Sequence, residues 1–545
     1  MNIQFYSYLI LLYTGAKMKS FPKIMYYHDG RHSHMYRYEP PMSKTEMNAM
    51  IDEVASTSVD AIMYCLGEGR TMLHDTKAGE LLGHNQEVWT HEIFRRANQN
   101  AVALINNGQD PLQLICDRSH EKNMLFYPSL IVNAGSDSFA IQRNSDFRKN
   151  NRHLEIGASG NVDKNFKGFE FLDFEHKEAR DERFALIEET INKYPIDGFE
   201  LQFNIHPYFF QPAKAYKNRH ILTKWISDIH ETIKSGNSAK ELLVRIPNNI
   251  DECLALGFDV EEWVKKGIID GVIGEKKGAE SYRAGPMEDI RSLVNVTSNS
   301  PCRVYSSLPI QVGSDRINNA TTPMLRAMAC NYWDQGIDGL YLVHWYADWP
   351  YTPEFYDKLR ELPHPDIMDY KDKYYFLPKR QSKYPASTEQ SLPLPRKLEI
   401  GKPIKFDMSI SDNLERWHSE QRIHDVLLRI RIGSTTELDT IEIKINDKLL
   451  PSSTSRKINH MYLMSGPRYR DGGYWFIFHL TQEFWPVKGS NTITITLVKR
   501  DSDISKEIQP TVKDIELETK YLMGKNFHRE FSDPELGAWV PGSTD

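Results

Sequence analysis

The chain has 545 residues, more than one ordinary core holds, so two or three domains are expected. A charged content of 26% and a hydrophobic content of 40% are those of a globular protein, and a net charge of -7 without a basic stripe argues against nucleic acid or an anionic membrane as partner. The five cysteines form no C-x-x-C pair and are odd in number, which argues against a disulfide framework or structural zinc and for free thiols in a reducing compartment.

Residues 1–23 read as an extension. Its apolar run, Tyr8 to Ala16, is too short to span a bilayer and has no positive charge before it. A start at Met18 or Met25 and a cytoplasmic location are therefore expected ahead of a weak export signal. No other segment is long and apolar enough for a membrane.

From residue 24 to 378 short apolar runs alternate with stretches of helical period, the signature of β/α units and a parallel sheet. Eight strands are expected: Ile24–His28, Ala61–Leu66, Leu125–Val132, Gly198–Asn204, Leu242–Pro247, Gly271–Glu275, Arg303–Pro309 and Gly339–Tyr346. Between them, Ser43 and Glu46 have capping-box spacing and open a helix to about Ser58. Ala179–Tyr194, Leu222–Lys234, Val260–Lys265 and Met324–Asp334 carry apolar residues at helical spacing. Ile-Asp-Gly recurs before three strands, at Asp197, Asp270 and Asp338. Eight such units make a (β/α)8 TIM barrel; an open doubly wound sheet would carry a Gly-rich phosphate turn, which is missing. Residues 379–398 read as an extended linker, 399–520 as a small all-β sandwich of short period-two strands, and 521–545 as a polar tail.

In such a barrel, polar residues at the carboxyl ends of strands are the functional candidates. On the fourth strand side chains alternate, so Phe199, Leu201 and Phe203 face the helices while Glu200, Gln202 and Asn204 point inward. A buried carboxyl is costly when charged, which suits Glu200 to general acid work. The structural alternative is a Glu200 tied to Arg245 on the next strand. Glycoside hydrolysis needs a second carboxyl, about 5 Å away for retention or about 6.5–9.5 Å for inversion. Candidates are Glu275, Asp348, Asp29 and Glu68, with Glu275 preferred because Lys276 and Lys277 would hold it ionised. Tyr27, His28, Arg31, His32, Tyr64, Asn133, Gln202, Asn204, His206, Arg245 and His344 are candidate ligand-binding groups, and Trp345 is a candidate floor for a sugar ring or a cap on the core. His32 and His34 have metal-ligand spacing, but the ends of strands five and six offer no further His, so no metal and no cofactor is expected.

Three runs carry a resemblance: Phe126–Leu130, Leu172–Arg180 and Asp197–Asn204. Together with Val244-Arg-Ile-Pro247, Leu256-Gly-Phe-Asp259, Trp263, Asp338–Tyr341 and His344-Trp345, they resemble the uncharacterised glycosyl-hydrolase-like barrel proteins of environmental bacteria. Those proteins show "SLRMND", "LDFAHPEVR" and "DGxELDF" at the first three places. The resemblance covers the barrel and continues into the sandwich, and it implies a carbohydrate ligand without naming a reaction. Two departures matter. Gln202 stands where the pattern has Asp, and Ser129–Ala134 lacks the pattern's Arg and Asp. Gln cannot act as base or nucleophile, so a non-catalytic carbohydrate-binding protein on a degenerate barrel is the alternative to a glycoside hydrolase.

Overall fold

The computed structural model describes residues 21–523 apart from 136, 138–143, 277–282, 285–288, 313–316, 318, 380–392 and 460–472. Of the expected extension only its last three residues are described; the middle of the linker and the tail beyond Met523 lie outside the described residues.

Eight parallel strands close into a barrel: β1 (Ile24–His28), β2 (Ala61–Glu68), β3 (Leu125–Ile131), β4 (Gly198–Gln202), β5 (Glu241–Pro247), β6 (Gly271–Glu275), β7 (Arg303–Ser307) and β8 (Gly339–Leu342). Each pairs with its neighbours in chain order, and β1 pairs with both β8 and β2, which completes the ring. The intervening helices form where the apolar spacing places them. Lys44–Asp52 starts on a complete capping box of Ser43 and Glu46. Lys177–Lys193, Ala215–Gly236, Val260–Lys266 and Thr322–Asp334 match the expected helices to within a few residues, except that Ala215–Gly236 begins seven residues earlier than Leu222.

The Ile-Asp-Gly repeat has a physical explanation. Asp197 donates its backbone N–H to the Phe126 carbonyl and accepts the Phe126 N–H on Oδ2 at 2.9 Å. Asp270 does the same with Leu242 at 2.8 Å, and Asp338 with Val304 at 2.8 Å. Asp60 repeats it with Ile24 at 3.0 Å, where Ala61 replaces the glycine. One aspartate thus locks strands one to two, three to four, five to six and seven to eight. The glycine leaves room for a large neighbour. A Cβ on Gly198 would sit 2.4 Å from the Tyr127 ring, and one on Gly339 would sit 2.8 Å from the Tyr305 ring.

Behind the barrel lies a two-sheet antiparallel sandwich. One sheet orders β9 (Lys373–Phe376), β16 (Thr511–Tyr521), β11 (Ile423–Gly433), β14 (Gly473–His479) and β13 (Ser455–Asn459); the other orders β10 (Ile404–Ile410), β15 (Gly489–Lys499) and β12 (Thr440–Ile445). Leu428, Ile430, Phe476 and Ile495 lie in the core between them. Although β9 precedes the linker, it pairs with β16 and belongs to the sandwich sheet. Fully buried Asp412 anchors it there, accepting from Lys373 Nζ at 2.8 Å and from the Tyr375, Tyr521 and Thr519 hydroxyls. Barrel and sandwich meet where Asn331 Nδ2 donates to the Ser409 carbonyl at 3.1 Å. All five cysteines are buried and unbridged. Among the described residues no helix is long and apolar enough to cross a membrane.

Candidate functional site

Strand four alternates as its sequence dictates. Phe199, Leu201 and Phe203 are buried, and Phe203 packs edge-on or stacked against Phe209 and Phe258. Glu200 points the other way and spans the lumen, because Tyr341 on β8, the strand opposite, donates its hydroxyl to Glu200 Oε2 at 2.9 Å. Arg245 reaches the same place from β5, with Nε 2.7 Å from Glu200 Oε1. Its guanidinium lies over the Tyr27 ring at 4.5 Å and the Tyr341 ring at 4.7 Å. Glu200 and Arg245 are both 0% exposed. Glu200 is therefore held on one side by a charge and on the other by a phenol, tying β4, β5 and β8 together.

Glu275 is the second carboxyl on this guanidinium. It ends β6, with Oε2 3.1 Å from Arg245 Nη1 and accepting from Asn204 Nδ2 at 2.8 Å. Burial pushes the Glu275 carboxyl up to about 7, against the pull of Arg245. The expectation that Lys276 and Lys277 hold it ionised does not describe its environment: Glu275 is 3% exposed and faces the lumen, Lys276 is half-buried, and Lys277 lies outside the described residues. In the lumen Asn204 Oδ1, Gln202 Oε1 and Arg245 Nη2 are buried without a hydrogen-bond partner, and the Ser307 hydroxyl lies beside Glu275. Gln202 donates Nε2 to Ser129 Oγ at 2.6 Å.

The rim above β1 and β2 carries a second group. Arg31 Nη1 is 2.5 Å from Glu68 Oε1, and both side chains keep slight exposure, 14% and 13%. Burial opposes the charge on Asp29, but Arg31, His28 and His32 together hold its carboxyl below the usual range. Tyr346 stands between His28 and His32, with ring centroids 5.1 Å from each. Tyr64 stacks on His28, and His344 Nδ1 is 2.7 Å from the Tyr346 hydroxyl.

The remaining candidates fall elsewhere. Trp345 is 0% exposed and donates Nε1 to the Leu308 carbonyl at 2.8 Å, so neither ring face is open to a sugar. It sits in a 3-10 turn, Trp345–Asp348, because β8 ends at Leu342 and His344 takes a left-handed φ of 60°. Asp348 on the same turn accepts from Asn319 Nδ2 at 2.7 Å. Asn133 binds backbone, donating to the Leu172 and Tyr208 carbonyls at 2.9 Å and tying together the loops that follow β3 and β4. His206 lies edge-on to Phe171 at 5.1 Å. Tyr341 and Ser129 join the site without being among the expected residues. The signal for Tyr341 is present in the sequence, since Leu340 and Leu342 beside it mark the outward face.

One group among the described residues has metal-ligand types: Glu80, His84 and Asp146, whose ligand atoms lie within 4.8 Å of one another. Its members bond each other, His84 Nε2 to Asp146 Oδ2 at 2.8 Å, and Glu80 accepts the helix-start amides of Asp146 and Phe147. It is a helix cap by construction.

Three buried imidazoles and one half-buried one give the fold a definite acid response. Burial lowers His28 and His344 to about 3, and His34 and His74 to about 4. The unfolded chain binds these protons from about pH 6.5 downward, whereas the folded chain does not. Their contribution is thus present above pH 6.5 and lost as pH falls toward 4. Urea unfolding between pH 7 and 4.5 is expected to show up to about four protons taken up per chain unfolded; an uptake below about one would contradict the neutral, buried imidazoles.

No family model matches this sequence, and no curated protein is similar to it. Among solved structures it is similar to an alpha-L-fucosidase isoenzyme 2 from Paenibacillus thiaminolyticus, with TM-score 0.39 and 9% identity, over 63% of this chain and 49% of that one. It is similar to the PgaB glycoside hydrolase domain from Bordetella bronchiseptica, with TM-score 0.38 and 9% identity, over 63% of this chain and 99% of that one. A third is an alpha-galactosidase from Geobacillus stearothermophilus, with TM-score 0.37 and 10% identity, over 88% of this chain and 56% of that one. Likeness at these scores carries no argument about activity.

Proposed function

We propose that this chain is a glycoside-hydrolase-like protein acting on a glycan, with Glu275 as the proton donor. One observation carries the reading: a carboxyl at the tip of a barrel strand, bonded on one oxygen to Arg245 and Asn204, is pushed up to about 7 by burial. Such a group holds its proton near neutral pH and is suited to give it to a leaving oxygen. Arg245 and Asn204, already on Oε2, would stabilise the carboxylate left behind. Glu200 is a positioning residue in this scheme, because both its oxygens are engaged and it has no exposed surface. Asp29, held ionised at the rim, is the carboxylate suited to act as base or nucleophile.

The test is turnover of a panel of 4-nitrophenyl glycosides and oligosaccharides by the natural chain and by Glu275→Gln. Loss of cleavage with retained folding supports the reading, and equal rates remove Glu275 from it. The engagement of Glu200, with Gln202 beside it, favours a second reading, a carbohydrate-binding protein without turnover. Saturable binding that Glu275→Gln leaves intact, with no cleavage by either chain, would select it.

A further inference from the structure

We propose that the rim beside Asp29 carries an outer glycan subsite built on two exposed rings, Tyr36 and Trp349, so that the ligand is an oligosaccharide chain rather than a single glycoside. This rests on the reading of the barrel mouth as a glycan site and adds that the ligand spans several sugar units. Both rings stand on loops at the carboxyl ends of neighbouring strands. Tyr36 lies in the π-helical turn Ser33–Arg37 after β1, and Trp349 follows the 3-10 turn Trp345–Asp348 after β8. Tyr36 is 54% exposed and Trp349 37%, so a ligand reaches them without opening the barrel.

Each ring is fixed from behind. The Arg37 guanidinium covers Trp349 at 4.7 Å, and Glu53 Oε1 accepts the indole N–H at 3.0 Å. Arg37 is held in turn by Glu53 Oε2 at 2.6 Å and packs on Tyr351, which stacks on Phe355 at 3.9 Å. With its N–H taken, the exposed part of the indole is apolar carbon. Tyr36 lies 5.1 Å from the His32 ring, which lies 5.1 Å from Tyr346. His32 ties this row to the candidate base, donating its backbone N–H to Asp29 Oδ1 at 2.8 Å. A ring already held in place loses little freedom when a ligand stacks on it, and the C–H face of a pyranose is the apolar side of a polar molecule. An exposed ring alone says little. Tyr216, over Arg219 at 4.3 Å, is as exposed on the helix after β4. Tyr36 and Trp349 differ from it in standing on adjacent loops of the mouth, one of them a single ring away from Asp29.

Malto-, cello-, xylo- and chito-oligosaccharides of rising length, with the matching 4-nitrophenyl monoglycosides, test this by calorimetry and turnover on the full chain. Affinity is expected to rise about tenfold or more from the single glycoside to the longer chains of the preferred series. Tyr36→Ala and Trp349→Ala are each expected to lose about tenfold on the longer chains and nothing on the single glycoside. Tyr36→Phe, which keeps the ring, should bind as the natural chain does, and Tyr216→Ala should change neither ligand. Equal affinity for short and long chains, an unchanged affinity in both alanine variants, or a loss that Tyr216→Ala shares would overturn the subsite while leaving a glycan site standing. Cleavage of no glycan, with binding of long chains that Tyr36→Ala and Trp349→Ala weaken, would overturn the catalytic reading and keep the subsite. Binding of no glycan would overturn both.

Discussion

Replacing Arg245 with Met is expected to lower the unfolding free energy by about 3–5 kcal/mol at pH 7, the cost of leaving buried carboxylates without their cation. Glu200 would keep only the Tyr341 hydroxyl, and Glu275 the Asn204 amide and the nearby Ser307 hydroxyl. Water cannot reach a residue with 0% exposure without opening the barrel. The loss should shrink as pH falls from about 7 toward 4.5, because burial lets Glu275 hold its proton in the folded chain over that range. Adding Glu200→Gln to Arg245→Met should recover part of it, because an amide can keep the Tyr341 bond without carrying charge. Tryptophan fluorescence in urea at pH 7 and pH 4.5 reads both effects. A cost under about 1 kcal/mol at pH 7 would mean that the carboxyls are neutral or hydrated, against the ion pair at 2.7 Å.

Glu275→Gln is expected to reduce turnover about 10²–10⁴-fold, the usual worth of a positioned proton donor. The pH dependence separates chemistry from collapse. In the natural chain, turnover should fall as pH rises through about 7, where Glu275 loses its proton. The residual rate of the variant should lack that limb. Stability of the natural chain moves in the same direction with pH. A carboxyl whose folded value lies above its unfolded one stabilises fully only below the unfolded value, and that contribution is lost as pH rises from about 4.5 to about 7. The amide carries no such loss, so the variant should be at least as stable as the natural chain at pH 8. A variant that is inactive because it has unfolded would contradict this.

How far the sequence can be read depends on the range of the interactions involved. The alternation of Phe199, Glu200, Leu201 and Gln202 is enough to place Glu200 inside the barrel, because period two is a local property. The pairing of Glu200 with Arg245 is legible for the same reason, the two being on adjacent strands. The share of Arg245 taken by Glu275 follows from the same adjacency, β6 pairing with β5, and a reading that looks to Lys276 and Lys277 passes over it. Lys276 misleads because the next residue along a strand faces away from its neighbour, and burial outweighs it, while Lys277 lies outside the described residues. The sequence assigns β9 to the barrel segment because its partner β16 lies beyond the linker and the rest of the domain. The strand β10 is legible locally, since Phe406, Met408 and Ile410 alternate as its buried face requires.

The account turns on the protonation of one carboxyl. Infrared difference spectra of the natural chain against Glu275→Gln, taken from pH 4 to 9, isolate that group. A protonated carboxyl band that vanishes with a midpoint near pH 7 is the expected result. A Glu275 already fully ionised at pH 5 would contradict it, and with it the assignment of the proton donor.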